Sequence, residues 1–121
     1  MQMQILKSKI HRATLTECEL EYVGSLSIDG DLMDAVGMLP HEKILVVNQT
    51  NGERLETYAI EAERGTGRFC LNGAAARRGE PGDMVTIMSF ALISPEEAET
   101  FAPAVAVLNS DNTINTLKGT D

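Results

Sequence analysis

Short segments in which apolar and polar residues alternate run through most of the chain, and each predicts a β-strand. In residues 3–11 the alternation places three basic side chains on one face, namely Lys7, Lys9 and His11. The opposite face carries Leu6, Ser8 and Ile10. Further strands are predicted in residues 13–22, 21–29, 43–49, 54–63, within 65–76, 84–93 and 104–109.

Turn and cap residues separate these strands. Asn51-Gly52 predicts a hairpin turn. Asp31 predicts the cap of a short helix over residues 32–36 that ends at Gly37. Ser94 followed by Pro95 predicts a second short helix, and the polar tail 110–121 is expected to be loose. Six or seven strands and two short helices predict one mainly β domain over residues 1–121, built as a small closed barrel or a sandwich.

Charge, apolar runs and the placing of cysteine and histidine narrow the range of functions expected for this chain. A net charge of −8 argues against nucleic acid or an anionic membrane as the main partner. The longest apolar-rich run, residues 84–93, is too short to span a bilayer, and the lysines near the N-terminus do not form an export signal, so we expect a cytoplasmic protein. Cys18 and Cys70 are then expected to be free thiols. Cysteine and histidine spacing predicts no metal site.

The pair Gly24-Ser25 lies inside the predicted strand 21–29 and has two interpretations. One is a bulge in which glycine permits unusual torsions and serine is simply polar. The other is an internal acyl shift, in which the Ser25 hydroxyl attacks the carbonyl carbon before it and the resulting ester eliminates. That reaction would cut the chain and leave a terminal pyruvoyl group. From the residues alone, the first interpretation is the default.

Other residues also carry two interpretations. The basic face that includes Lys9 has two interpretations. It either keeps an exposed edge strand from pairing with another chain, or it forms an anion site in an otherwise acidic protein. In "ERLETYA", Arg54 and Tyr58 share a face and Thr57 points the other way. Arg54 either binds a carboxylate with its two-pronged guanidinium group or forms an ion pair with a neighbouring glutamate. The stretch "NGAAA", residues 72–76, either brings backbone amides close to a ligand or makes a turn.

Taken in order, the segments "KSKIHRATLT", "YVGS", "NGERLETYAI", "ERG", "NGAAA" and "PGD" resemble the aspartate 1-decarboxylases over residues 3–103. These are pyruvoyl enzymes that convert L-aspartate to β-alanine and CO₂ through a Schiff base, for pantothenate biosynthesis. The resemblance implies a double-psi β-barrel, a homotetramer with its sites between subunits, and cleavage into residues 1–24 and 25–121. It leaves open the need for a maturation factor.

The resemblance also implies roles for individual residues. Ser25 becomes the covalent pyruvoyl cofactor, and Gly24 ends the shorter chain. Thr57 assists the acyl shift and contacts substrate, and Tyr58 is the proton donor. Two residues hold substrate carboxylates, namely Lys9 and Arg54. The remaining positions expected to line the site are His11, Tyr22, Asn72, Gly73, Ala74 and Ala75.

This chain departs from the family pattern at three places. Val23 stands where the family often has glutamate, Arg77-Arg78 stand where a histidine is usual, and similarity fades past Phe101. Two other function classes remain open from the sequence. One is a non-enzymatic β-barrel that binds or assembles, and the other is a barrel enzyme that uses Lys9 as its Schiff-base nucleophile.

Overall fold

A computed structural model describes residues 1–119. This part of the chain forms nine strands: β1 (Met3–Thr14), β2 (Glu17–Glu19), β3 (Ser25–Asp29), β4 (Lys43–Asn48), β5 (Arg54–Ala62), β6 (Phe69–Asn72), β7 (Met84–Ile93), β8 (Ala104–Leu108) and β9 (Ile114–Lys118). Its helical elements are α1 (Gly30–Ala35), a 3-10 helix (Gly73–Arg78) and α2 (Pro95–Ala98). None of the helices in the described residues is long and apolar enough to cross a bilayer.

The strands pair in the order β2-β6-β3-β5-β4-β7-β1-β8-β9. Three pairs are parallel, namely β1–β8, β2–β6 and β3–β5, and the other pairs are antiparallel. The prediction of a mainly β protein with short helices is therefore confirmed. Closure of the strands into a double-psi barrel stays a prediction.

Apolar side chains from the inner faces of the strands form one core, with Phe69, Ile10, Leu26 and Ile87 among the largest members. In β1 the predicted alternation is confirmed at Ser8 and Ile10, which are buried, whereas Lys9 and His11 are half-buried. Strands β3 and β6 differ from the rest because every residue in them is buried, on both faces. Their outward-facing side chains therefore need hydrogen-bond partners within the protein.

Two strand predictions before residue 25 are wrong. Residues 13–22 do not form one strand, because β1 ends at Thr14 and only the three residues of β2 pair afterwards, at the sheet edge. Residues 21–29 are extended only from Ser25, and Tyr22 and Val23 are exposed in the preceding turn. The physical reason is topological: β6 lies between β2 and β3, so the chain has to pass β6 before β3 can begin.

Two predictions of local structure also need correction. The cap of α1 is Asp29 and not Asp31, which lies in the first helical turn. The tail is not wholly loose, because residues 114–118 form β9 against β8. Asn112 anchors the turn before β9: its amide contacts the backbone of Thr14 and Gly67. Residues 120–121 of the predicted tail lie outside the described residues.

The carboxylate of Asp29 joins three parts of the chain. It accepts hydrogen bonds from the backbone N–H groups of Asp31 (2.9 Å), Gly65 (3.0 Å) and Gly67 (2.8 Å). Burial acts to raise the pKa of Asp29, but these bonds and the charge of Arg64 outweigh it, so the pKa is lowered. A carboxyl group whose pKa is lowered by folding stabilises the protein above its unfolded pKa, and that contribution is lost as the pH falls.

We expect Asp29→Asn to lower the free energy of unfolding at pH 7 by about 1–3 kcal/mol, because an amide N–H would replace one carboxylate oxygen that accepts a backbone N–H. The difference from wild type should shrink below about pH 4, where the Asp29 carboxyl group of the unfolded wild-type chain takes up a proton while that of the folded chain stays ionised, so falling pH favours unfolding of the wild type. Denaturant unfolding between pH 3 and pH 7 measures both effects. Exposed Glu63→Gln serves as the control. A constant difference across this pH range would contradict the prediction.

Candidate active site

The Gly24–Ser25 bond lies at the point where the turn after β2 enters β3. Ser25 is fully buried and pairs across the antiparallel ladder with Asn72, while Ser27 pairs with Cys70. Because residues two apart in a strand share a face, these four side chains form one patch. We call Ser25, Ser27, Cys70 and Asn72 the polar quartet. Their neighbours Leu26 and Leu71 point to the other face, into the core.

The Asn72 amide connects the members of the polar quartet. Its nitrogen donates to the Ser25 hydroxyl at 3.0 Å and to the Ser27 hydroxyl at 2.8 Å. The thiol of Cys70 donates to the Asn72 amide oxygen at 3.1 Å. The Ser25 hydroxyl in turn donates to the carbonyl oxygen of Val23 at 3.1 Å. The nucleophile proposed from the sequence is therefore oriented by a side chain and not left to rotate freely.

Gly73 holds the backbone of Gly24 from the opposite side. A Cβ atom added at Gly73 would lie 2.7 Å from the Gly24 Cα atom and 2.9 Å from the Tyr22 carbonyl oxygen, closer than real Cβ contacts. Gly73 also has a φ of 68°, in the left-handed region that favours glycine. The stretch "NGAAA" therefore packs against the chain's own Gly24 backbone and continues into a 3-10 helix that the sequence did not predict, while its approach to a ligand stays a prediction.

Strand β5 contributes to both sides of the Gly24–Ser25 bond. The β3–β5 pair is parallel with Leu26 beside Ala59, so one residue earlier Ser25 lies level with Tyr58. Paired residues of neighbouring strands face the same way, so Tyr58 is on the face of Ser25, and Thr57 is on the other face. Thr57 lines a cavity of about 330 Å³ together with Gly24, Ala74 and Ala75. Two consecutive residues of β5, Thr57 and Tyr58, thus lie beside Gly24 and Ser25.

Arg78 lines the same cavity, and two hydrogen bonds hold its side chain there. Its guanidinium group donates to the Glu53 carboxylate at 2.7 Å and to the Arg54 carbonyl oxygen at 3.3 Å. The side chain of Arg54 is exposed on the same face of β5 as Tyr58. Arg54 does not take the alternative role of an ion pair with Glu53, because that carboxylate pairs with Arg78.

The predicted residues of β1 lie elsewhere in the same chain. β1 is separated from β3 by β5, β4 and β7, and residues 1–119 place neither Lys9 nor His11 in the cavity lining at Gly24. The His11 ring lies 3.1 Å from the Thr86 hydroxyl. Burial lowers the pKa of His11, and the charges of Lys9 and Arg12 lower it further, so His11 is neutral at pH 7.

The remaining predicted positions surround the polar quartet. A second cavity, of about 230 Å³, is lined by Tyr22 together with Ser27 and Asn72 of the quartet. Val23 is exposed, and its carbonyl oxygen accepts a hydrogen bond from the Ser25 hydroxyl. The sequence analysis missed Ser27 and Cys70 as site residues. Their signal was present in "SLS" at 25–27 and "CLN" at 70–72, two polar–leucine–polar triplets in neighbouring strands.

Comparisons with known proteins identify the family. A family model described as aspartate decarboxylase matches residues 1–115, which extends beyond the resemblance seen over residues 3–103. A protein of Bacillus licheniformis named aspartate 1-decarboxylase is 55% identical over 98% of this chain and 94% of its own. Proteins of the same name from Bacillus subtilis strain 168 and Staphylococcus aureus strain MW2 are 53% and 54% identical, over 100% and 91% of this chain and 95% and 87% of their own.

Among solved structures, the computationally designed msDPBB_sym2 protein matches with a TM-score of 0.47 and 16% identity, over 72% of this chain and 99% of its own. The fold assignment rests on the strand pairing and not on this distant match. The fold and the site define a small, mainly β protein in which an exposed glycine, Gly24, leads into the buried Ser25 at the start of β3. The chain belongs to the aspartate decarboxylase family, which confirms the resemblance found in the sequence.

We expect Gly73→Ala to disturb the Gly24–Ser25 segment far more than an ordinary glycine replacement does. Gly52→Ala is the matched control, because Gly52 also has a positive φ, of 80°, but an added Cβ atom would meet nothing within 4 Å. Both variants carry the backbone strain of a positive φ, about 1–2 kcal/mol. Only Gly73→Ala adds a clash with backbone atoms, so its unfolding midpoint should be clearly lower. Equal midpoints would contradict the close approach.

Proposed function

We propose that this chain cuts itself between Gly24 and Ser25 and then decarboxylates L-aspartate to β-alanine and CO₂, which places it in the supply of β-alanine for pantothenate. The single observation that carries the proposal is the arrangement of the buried Ser25 hydroxyl. It is held by the Asn72 amide, next to a Gly24 backbone pressed against Gly73. A serine that is merely structural does not need its preceding glycine packed so closely. Membership of the family supplies the reaction class.

Cleavage begins when the Ser25 hydroxyl oxygen attacks the Gly24 carbonyl carbon. The C–N bond breaks, the nitrogen gains the hydroxyl proton, and an ester replaces the amide. Loss of the Ser25 α-proton then expels Gly24 as a carboxylic acid and leaves dehydroalanine at the new N-terminus. One water hydrolyses the tautomeric imine to a pyruvoyl group and releases ammonia. The overall change consumes one water, and it uses no oxidant, reductant or metal.

The residues beside this bond suit these steps. Asn72 donates to the Ser25 oxygen and can stabilise negative charge on it as its proton leaves. Thr57 shares a cavity with Gly24, so its hydroxyl is a candidate donor to the oxyanion that forms on the Gly24 carbonyl. With Val23 where the family often has glutamate, this chain has no carboxylate at that position to assist. We therefore expect the hydrogen bond from Asn72, and a donor at Thr57, to contribute more of the catalysis of cleavage.

The same residues suit the second reaction. A pyruvoyl group at residue 25 supplies an electron sink for the pair of electrons that the departing carboxylate leaves behind. Tyr58, level with Ser25 on the same face, would return a proton to the substrate carbon. Arg54, exposed on that face, would bind the carboxylate that stays, with two parallel hydrogen bonds. Tyr22, Gly73, Ala74 and Ala75 shape the space around the substrate.

Lys9 and His11 complete the site only if a second copy of the chain supplies them. Along the sheet, β1 is four strand spacings from β3, roughly 19 Å at the usual separation of strands. A site between subunits of a homotetramer, as the resemblance implies, brings Lys9 of one copy to Ser25 of another. Several large apolar side chains are exposed on a single copy, namely Met3, Leu20, Tyr22, Leu39, Phe90, Leu92 and Phe101, and subunit contacts would cover such residues.

The mature protein should consist of two chains, residues 1–24 and 25–121, and the longer one should resist Edman sequencing because it has no free amine. Ser25→Ala should stay uncut and inactive, because no hydroxyl is left to attack. Thr57→Val should accumulate uncut chain, since loss of one oxyanion donor costs on the order of a hundredfold in rate. Intact-mass spectrometry and a β-alanine assay measure these outcomes.

Arg54→Lys is the matched control for this test. It keeps the positive charge but loses the paired donors, so it should cut normally and decarboxylate poorly. Wild-type protein that is active while wholly uncut would refute the mechanism. If Thr57→Val cuts fully and Arg54→Lys does not, the roles of the two residues are reversed.

Assembly of the site from two copies can be tested by complementation. Lys9→Ala and Ser25→Ala should each be inactive alone, because each lacks one half of every site. When the two are co-expressed in equal amounts, about one quarter of the sites should combine an intact Lys9 with an intact Ser25 from different copies. Activity should return to about that fraction of wild type. No recovery in mixed oligomers, verified by mass, would show that each site is built within one chain.

A further inference from the structure

We propose that Cys70 is a positioning residue for self-cleavage: its thiol fixes the orientation of the Asn72 amide that must donate to Ser25. The inference rests on the proposed cleavage at Gly24–Ser25 and adds to it a residue that the family resemblance does not include. Cys70 and Asn72 are two apart in β6, so they share a face with Ser25 and Ser27 across the ladder.

All the hydrogen-bonding groups of the Asn72 amide are used in one orientation. The nitrogen has two N–H bonds, and these go to Ser25 and Ser27. The amide oxygen accepts from the Cys70 thiol at 3.1 Å. The thiol lies farther, 3.8 Å, from the Leu71 carbonyl oxygen, so the amide oxygen is its closer acceptor. Asn72 is only 1% exposed and Cys70 fully buried, so solvent cannot take the place of either partner.

Without the thiol, two orientations of this amide would compete. Rotated by half a turn, the amide would point its oxygen at the two serine hydroxyls and its nitrogen at residue 70. Either hydroxyl can donate as well as accept, so the serines alone do not choose between the two orientations. The thiol does choose, because sulfur is a weak acceptor for an amide N–H while the S–H group donates to oxygen. Burial raises the pKa of Cys70, which keeps this proton in place at neutral pH.

The orientation of the Asn72 amide affects the Ser25 hydroxyl, which is the proposed nucleophile. In the observed orientation the Ser25 oxygen receives an N–H bond and directs its own proton to the Val23 carbonyl oxygen. Negative charge that develops on this oxygen is then stabilised. In the rotated orientation the amide oxygen would face the same atom and oppose that charge. Cys70 therefore acts on cleavage through Asn72, and it does not touch the reacting atoms itself.

The test compares three replacements of Cys70 by the rate at which freshly purified uncut chain is cleaved, followed by intact-mass spectrometry. Cys70→Ser keeps a donor and should cut within about threefold of wild type. Cys70→Val fills similar space without a donor and should cut about tenfold more slowly or worse, the effect of one net hydrogen bond. Cys70→Ala repeats the donor-free test with a smaller side chain, in case valine prevents folding.

Two controls separate an effect on the orientation of the Asn72 amide from an effect on the stability of the folded chain. Each replacement is also made with Ser25→Ala, which keeps every chain uncut, and the unfolding midpoints are compared there. Cys18→Val is the matched thiol control, because Cys18 donates to the Gly79 carbonyl oxygen and is outside the polar quartet. It should leave the cleavage rate unchanged.

The inference holds if the donor-free variants are slow and Cys70→Ser is fast at comparable stability. It is overturned if Cys70→Val or Cys70→Ala cuts like wild type, or if Cys70→Ser is as slow as they are. In both of those outcomes wild-type chain still cuts, and the proposed function stands. Wild-type chain that never cuts contradicts the proposed function itself, and the role of Cys70 with it.

Discussion

The register between β3 and β6, which sets Ser25 opposite Asn72, is the constraint on which the site depends. A slip of β3 by one residue against β6 would turn Leu26 out of the core and Ser25 into it. Burial of Leu26 therefore enforces the position of the serine. Because β6 ends at Asn72, the same register brings Gly73 against Gly24. Packing in the core thus determines how the Gly24–Ser25 bond is held.

The polar quartet shows how a buried cluster of polar side chains is tolerated in such a small protein. An unpaired buried donor or acceptor costs about 1–3 kcal/mol, and four polar side chains meet here with little access to water. Their hydrogen bonds to one another and to the Val23 carbonyl offset that cost. A network of this kind keeps one arrangement, since any other leaves a buried group unsatisfied. The same hydrogen bonds therefore stabilise the fold and orient the Ser25 side chain.

The parallel pairing of β3 with β5 explains how one short strand lies beside both residues of the Gly24–Ser25 bond. Successive residues of a strand face opposite ways, and so do Gly24 and Ser25 at the entry to β3. Thr57 therefore reaches the side of Gly24, and Tyr58 the side of Ser25. The two faces of residues 54–59 therefore lie beside the two residues of this bond.

Local patterns in the sequence determined most strands, the Asn51-Gly52 hairpin and the Ser94 cap, because these depend on neighbouring residues alone. Motif order was also sufficient to identify the family. Tertiary structure decided the rest. The start of β3 at Ser25 follows from the path of the chain past β6, and the Asp29 cap and the Asn112 anchor bond to loops far away in sequence. The pairing of "SLS" with "CLN" depends on the fold, because no local rule states which strands become neighbours.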